Sequence, residues 1–411
     1  MKLKHDRSTT STNASADMRR IRTRCVQGGH HGDGDIWPLV PPIVQSTVYA
    51  THDPEVISGR ILADPPQPTY NRDHFPNVCT LEDLVAELEG AEAGYGVSSG
   101  MAAISLAALA LLSQGDHLVI GADSYCDTEQ LLAQELPRFG IACSVVDVAD
   151  LDAVEVAIQP NTGMIFAETI SNPGMCVADI AGLAAIAQRH DIPLVIDNSF
   201  ASPALCRPIE HGADLVIHSV TKYLGGHHDL SAGVVVGDEA LMARIRRFGY
   251  LLGAVPGASD AALAVRGIRT LAARMAWISD SAMEVADYLT RRPEIATVRY
   301  PGLADNGLVA RMLPDGQGGV LVVEFADEGS SNTVIDFVRA LRMIPYAPSL
   351  GGEITTVCYP PRLRDQDCSR EHGGNGALRF SIGLEHPADI IADIEQALMS
   401  VGTKGGIDRN T

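Results

Sequence analysis

Between about residue 79 and residue 260, short β-branched runs alternate with helix-length stretches, and this alternation limits the fold more than any other feature of the chain. The runs lie at 117–121 (His-Leu-Val-Ile-Gly), 144–148, 163–168, 193–197, 214–219 and 232–236, with helical stretches at 100–113, 127–139, 150–159 and 179–190. Near-continuous apolar strands are strands buried on both faces, so a mostly parallel sheet covered by helices is predicted. Gly115, the Ile192-Pro193 step and Gly225-Gly226 mark the joints. Beyond about 262 the pattern predicts one long helix over 262–290, a strand at 319–325, a helix at 332–343, a strand at 377–382 and a closing helix at 387–400. Residues 344–376, with many Pro, Gly and charged positions, read as loops. The expected organisation is an N-terminal arm at 1–63, its first 24 or so residues disordered, a large domain at 64–262 and a smaller α/β domain at 263–411.

Composition removes several functions. The 51 acidic against 31 basic residues give a net charge of −20, which argues against a nucleic-acid partner. No apolar run reaches the roughly 18 residues of a membrane span. The eight cysteines include no C-x-x-C pair and read as reduced, intracellular thiols. Residues 1–24 carry seven Lys or Arg and no apolar core of a signal peptide, so a cytosolic arm and a cytoplasmic location are expected. Among the 31 basic residues the only lysines are Lys2, Lys4, Lys222 and Lys404. Any lysine chemistry in the body of the protein therefore falls to Lys222.

Common α/β motifs are missing. No G-x-G-x-x-G follows a strand, and no G-x-x-x-x-G-K-[ST] occurs. Gly96-Val-Ser98-Ser-Gly100 has the G-x-S-x-G spelling of a nucleophile elbow, which needs a preceding strand. The stretch before it, 81–89, reads as a helix, so the elbow is not expected. The His30-His31 and His227-His228 pairs are poor metal ligands, because adjacent side chains point apart. No metal site is expected.

The sequence is most informative around Lys222. The run at 193–197 ends in Asp197, and the next ends in His218-Ser219-Val-Thr221-Lys222. Parallel strands bring both ends to one edge, where α/β ligands bind. An aspartate and a lysine so placed suit pyridoxal phosphate. The lysine forms the Schiff base, and the aspartate keeps the pyridine nitrogen protonated so that the ring acts as an electron sink. Ser219 and Thr221 add hydroxyls within reach of a phosphate. An ordinary strand-end salt bridge is the alternative. Upstream, Gly100-Met101 opens a helix whose start favours phosphate, with a plain serine cap at Ser98 or Ser99 as the alternative.

At this point the chain resembles the Cys/Met-metabolism pyridoxal-phosphate enzymes, the group of cystathionine γ-synthase, cystathionine γ-lyase and methionine γ-lyase. The resemblance runs from Thr23-Arg24 and Pro41-Pro-Ile-Val-Gln-Ser-Thr47 to Arg379-Phe-Ser-Ile-Gly-Leu-Glu385. It passes through Ser98-Ser-Gly-Met101, Glu168-Thr-Ile-Ser-Asn-Pro173, Asp197-Asn-Ser-Phe200, Ser219-Val-Thr-Lys-Tyr223 with Gly226-His227, Arg266-Gly-Ile-Arg-Thr-Leu271 and Ser349-Leu-Gly-Gly352. It implies the aspartate-aminotransferase-like α/β fold of type I pyridoxal-phosphate transferases. In that fold Lys222 holds the cofactor and shuttles protons, Asp197 meets the ring nitrogen, and Gly100, Met101, Ser219 and Thr221 bind the phosphate. Tyr125 stacks on the ring and helps as acid or base. Tyr70 and Arg72 complete the phosphate site of a neighbouring subunit, so a homodimer at least, and a tetramer of two dimers, is implied. Asn172, Ser349 and Arg379 lie near the substrate carboxylate or the cofactor hydroxyl, and a guanidinium fork suits a carboxylate.

The departures from the family pattern lie on the substrate side. They are Asp73-His74-Phe75 in the entrance segment, Cys126-Asp127 after Tyr125, His228 for a serine, Pro348 before Ser349, and Leu363-Arg-Asp365 in place of Met-Thr-His. Pro348 offers no charge to a distal ammonium, so a compact amino acid is favoured over cystathionine. His74, Asp127 and His228 are read either as recognising a polar side group or acting as acid-base groups, or as drift in loops. The implied activity is γ-elimination or γ-replacement on a γ-substituted amino acid. The alternatives are a β-lyase and a lapsed homologue acting as a scaffold.

Overall fold

Apolar runs buried on both faces do assemble into one sheet. The computed structural model describes residues 20–29, 36–61, 69–72, 76–304, 307–326, 331–359 and 377–402. Its large sheet has seven strands: β1 (Ala93–Val97), β2 (His117–Gly121), β3 (Ala142–Val146), β4 (Thr162–Glu168), β5 (Leu194–Asp197), β6 (Leu215–Ser219) and β7 (Gly233–Gly237). Their order is β1-β7-β6-β5-β4-β2-β3. Strand β7 runs against both β1 and β6, and the other pairings are parallel. Alternate residues serve opposite faces: Ile165, Ile196 and Val216 join one apolar core, while Phe166, Val195 and Ile217 join the other. The helices Pro76–Glu89 and Ala258–Ile268 contribute to the first core, and Gly100–Leu111 and Glu239–Leu252 to the second. This is the type I α/β fold, a mostly parallel sheet between helical layers.

A second sheet of four antiparallel strands follows, ordered β10-β11-β9-β8. It comprises β8 (Ile295–Arg299), β9 (Val320–Phe325), β10 (Thr356–Cys358) and β11 (Ala377–Ser381). Leu321, Leu378 and Phe380 pack there with Leu289, Phe337 and Ile394 of three helices.

Three expectations are corrected. A strand, β1, does stand between the helix Pro76–Glu89 and Ser98, so the strand-turn-helix context of an elbow is present after all. The glycines hide it. A Cβ on Gly94 would lie 2.8 Å from the Glu82 carbonyl oxygen, and one on Gly96 would lie 2.8 Å from Val78 Cγ1. Close helix packing therefore removed the β-branched signal. The elbow reading still fails on chemistry, because Ser98 is absent from the cavity that Ser99 lines. The expected helix over 262–290 is two helices, Ala258–Ile268 and Leu271–Thr290. Buried Arg274 donates to the carbonyls of Gly267 (2.9 Å) and Tyr223 (2.8 Å), which draws off a helical acceptor and anchors the break to the lysine loop. Within 344–376, residues 356–358 form a strand, and β8 was not foreseen at all.

Among the described residues no helix is long and apolar enough to cross a membrane. Among the described residues seven cysteines are free thiols, and no group of three or more His, Cys, Asp or Glu is placed to hold a metal. The His30-His31 pair, residues 73–75, Leu363–Asp365 and Cys368 lie outside the described residues.

Candidate active site

The sheet register brings the key residues to one edge. Glu168 and Asp197 are paired at the ends of β4 and β5, and Ser219 ends β6 beside them. The chain then turns, and Lys222 enters a cavity of about 260 Å³. Ser99, Gly100, Met101, Tyr125, Asn172, Asp197, Ser219, Thr221, Lys222, Ser349 and Arg379 all line it. Ten of the twelve residues expected at the site thus share one cavity, and Tyr70 and Arg72 do not.

At one end the helix Gly100–Leu111 begins. Ser99 Oγ accepts from Ala102 N at 3.1 Å and the Ser99 carbonyl accepts from Ala103 N, so Gly100 and Met101 retain the unpaired N–H groups of a helix start. Ser99 is therefore a cap, and the helix start also faces the cavity. Gly100 leaves no room for a side chain, since a Cβ would lie 2.7 Å from Ser219 Cβ. Thr221 Oγ1 exchanges hydrogen bonds with the Ala232 backbone at 3.2 and 3.3 Å. Hydroxyls and N–H groups converge here as a phosphate requires, and Lys222 and Arg379 line the same cavity.

In the middle, Asp197 Oδ1 accepts from Ser199 N at 2.9 Å. Among the described residues no cation lies within ion-pair distance of it. Burial raises its pKa, with Ser199 and Lys222 opposing. Burial, then Asp197, holds Glu168 well above the usual carboxylate range. A carboxylate at the end of β5, inside the cavity, fits a protonated pyridine nitrogen. Sequence reasoning quoted Glu168 only within a motif. Its Oε1 accepts from Tyr125 N at 2.7 Å and so fixes the ring-bearing loop; the signal was its position at a strand end beside Asp197.

Lys222 Nζ donates to Ser349 Oγ at 2.8 Å, so the strand-end salt bridge considered above is not formed. Ser349 has φ +82°, a left-handed backbone that a non-glycine residue seldom adopts away from a functional site. Burial, reinforced by Arg379, lowers the Lys222 pKa to about 8. Arg379, buried on β11, donates to Asn172 Oδ1 (3.1 Å), the Ser349 carbonyl (3.2 Å) and Cys358 Sγ (3.3 Å). None of these partners is a carboxylate, so its charge is available to a substrate. Cys358 had no sequence signal.

The altered positions separate. Asp127 accepts the Tyr125 phenol at 2.9 Å. His228 is exposed at φ +57° and packs against Gly352, outside the cavity lining. Pro348 is exposed, next to Ser349. Arg72 is half-buried, lies 4.3 Å from the centroid of the Tyr250 ring and donates to its hydroxyl at 3.1 Å, while Tyr70 is exposed.

Comparison with known proteins agrees with this geometry. Residues 22–399 match the family model described as Cys/Met metabolism PLP-dependent enzyme. The chain is 38% identical to L-methionine gamma-lyase of Pseudomonas putida over 92% of this chain and 96% of that one. It is 36% identical to cystathionine beta-lyase of Lactococcus lactis subsp. cremoris, over 93% and 99%. A solved Campylobacter jejuni structure holding N′-pyridoxyl-lysine-5′-monophosphate superposes with a TM-score of 0.85 at 28% identity, covering 93% of this chain and all of that one. With a lysine, an aspartate and a helix start around one cavity, and with this match along nearly its whole length, the chain belongs to the Cys/Met-metabolism PLP-dependent enzymes.

Proposed function

We propose that the protein catalyses γ-elimination or γ-replacement on a compact amino acid bearing a γ-leaving group, with β-elimination as the alternative reaction. The observation that carries this is the placement of Lys222, Asp197 and Arg379 in one cavity, with Lys222 Nζ held at Ser349. Pyridoxal phosphate, when bound, supplies the electron sink for charge developing at the substrate carbon. Asp197 holds the ring nitrogen, and Gly100, Met101, Ser219 and Thr221 hold the phosphate. Arg379, aligned by Asn172, grips the α-carboxylate. Lys222 Nζ, neutral above about 8, takes the α-proton and returns a proton where the reaction needs one. Ile104, Ile170, Phe200 and Leu350 make much of the remaining wall apolar, which supports a compact, weakly polar side group.

The test is product analysis with O-acetyl-, O-phospho-, thio- and halo-homoserine analogues beside β-substituted amino acids and L-cystathionine. We expect a γ-substituted compound to be turned over best and cystathionine poorly. Replacing Pro348 by Glu should raise cystathionine turnover relative to the compact substrate. Wild-type preference for cystathionine would overturn the substrate reading and leave the cofactor chemistry intact. Independently, purified protein should be yellow, and borohydride should abolish the colour and leave an adduct on Lys222.

We also infer an assembly of at least two subunits, most simply a tetramer of two dimers. The residues expected to hold the phosphate, Gly100, Met101, Ser219 and Thr221, carry no charge, and Tyr70 and Arg72 are not among the residues that line the cavity. A partner's Tyr-x-Arg segment would add a cation there. Leu251 and Leu252, which follow Tyr250 in the chain, are exposed apolar residues that an interface would cover. A cytoplasmic location fits the free thiols.

A further inference from the structure

The resemblance places Tyr125 at the family's ring-stacking position, and here its phenol is engaged by a neighbouring carboxylate. It follows β2 at the head of the short helix Cys126–Glu129. Glu168 holds its backbone N–H, and its carbonyl accepts from Glu129 N at 3.0 Å. The phenol donates to Asp127 Oδ2 at 2.9 Å. Tyr125 lines the cavity and Asp127 does not, so the phenolic proton is committed to a carboxylate outside the cavity lining.

We propose that Asp127 is a positioning residue that keeps Tyr125 protonated and turned from the substrate, leaving Tyr125 as a ring face and proton transfer to Lys222 Nζ. This rests on the pyridoxal-phosphate reading and narrows the acid or base role expected of Tyr125. A phenol serves as a base near neutral pH only if it ionises, and a phenolate 2.9 Å from a carboxylate would be a second anion at that point. The groups facing the phenol are Asp127 and Cys126 from its own loop and Arg379 from β11. Burial and Asp127 push the phenol well above its ordinary value, and Arg379 opposes them more weakly. The same geometry explains why a carboxylate is tolerated beside the site. It has a fixed proton donor and needs none from the substrate.

The experiment is a spectrophotometric titration of tyrosinate in the holoenzyme, with the Tyr125→Phe protein subtracted to isolate one phenol among ten. In the wild type, the Tyr125 signal should stay absent through about pH 10, where an ordinary tyrosine is half ionised. In Asp127→Asn, which keeps the shape and an acceptor but removes the charge, ionisation should begin at least one pH unit lower, a tenfold change in the ionised fraction. The pH profile of kcat in that variant should gain a limb at the new position. A role in folding alone would not move the phenol. The proposal fails if wild-type Tyr125 ionises at or below about pH 8, or if the wild type and Asp127→Asn titrate alike. The titration is read on Tyr125 itself, so it stands or falls separately from the borohydride test of the cofactor reading.

Discussion

An ammonium drawn out of water and set beside a guanidinium holds its proton poorly, and Lys222 meets both conditions. Only its neutral form attacks an aldehyde, and that fraction grows as pH rises. Borohydride-trapped incorporation of pyridoxal phosphate into apo-protein should therefore increase with an inflection near about 8, rather than near the ordinary ~10.4. Removing the neighbouring cation in Arg379→Gln should shift the inflection upward. The same substitution should raise KM for every substrate by roughly 10–100-fold, the ~1.5–3 kcal/mol of a charge-assisted hydrogen bond. A loss confined to one substrate would show that Arg379 does not hold the common carboxylate.

The loop that carries Lys222 rests on the end of the helix Ala258–Ile268, and the contact is a backbone one. A Cβ on Gly267 would lie 2.1 Å from the Gly225 carbonyl oxygen. Gly267→Ala should cost about 1–3 kcal/mol, the usual range for overpacking, and should weaken cofactor retention. Gly59→Ala, on a helix with nothing within 4 Å, should be neutral or mildly stabilising. Thermal unfolding and cofactor release by dialysis check both, and equal effects would sink the argument. Such contacts also decide what could be read beforehand. Strands β2 and β4 to β7 were legible because their apolar runs are nearly continuous, and the edge strand β3 from its β-branched valines. Strand β1 was not, because glycines demanded by a packed helix diluted its pattern. The break after Ile268 was not, because Arg274 makes it from a distance. In the site, Asp197 and Lys222 were legible from chemistry and from the parallel topology. Asn172, Ser349 and Arg379 emerged only through family resemblance, since they meet across as many as 207 residues of chain. The Tyr125–Asp127 bond needed coordinates, because two residues of separation does not reveal where a loop points its side chains.

Over the whole molecule, a site shared between subunits can be tested by mixing. Lys222→Ala and Arg72→Ala proteins should each be nearly inactive or poor at retaining cofactor. A mixed dimer contains one cavity with both residues intact, so refolding the two together should restore up to about a quarter of wild-type activity by random pairing of sites. Additive residual activity alone would exclude the shared site. A monodisperse, fully active monomer in light scattering would do the same. The position of Lys222 has a practical consequence as well. It is the only lysine among the described residues, and it is set within a cavity. Bulky acylating reagents and aldehyde-coated supports should therefore spare the working amine, and treatment with them should leave turnover largely intact.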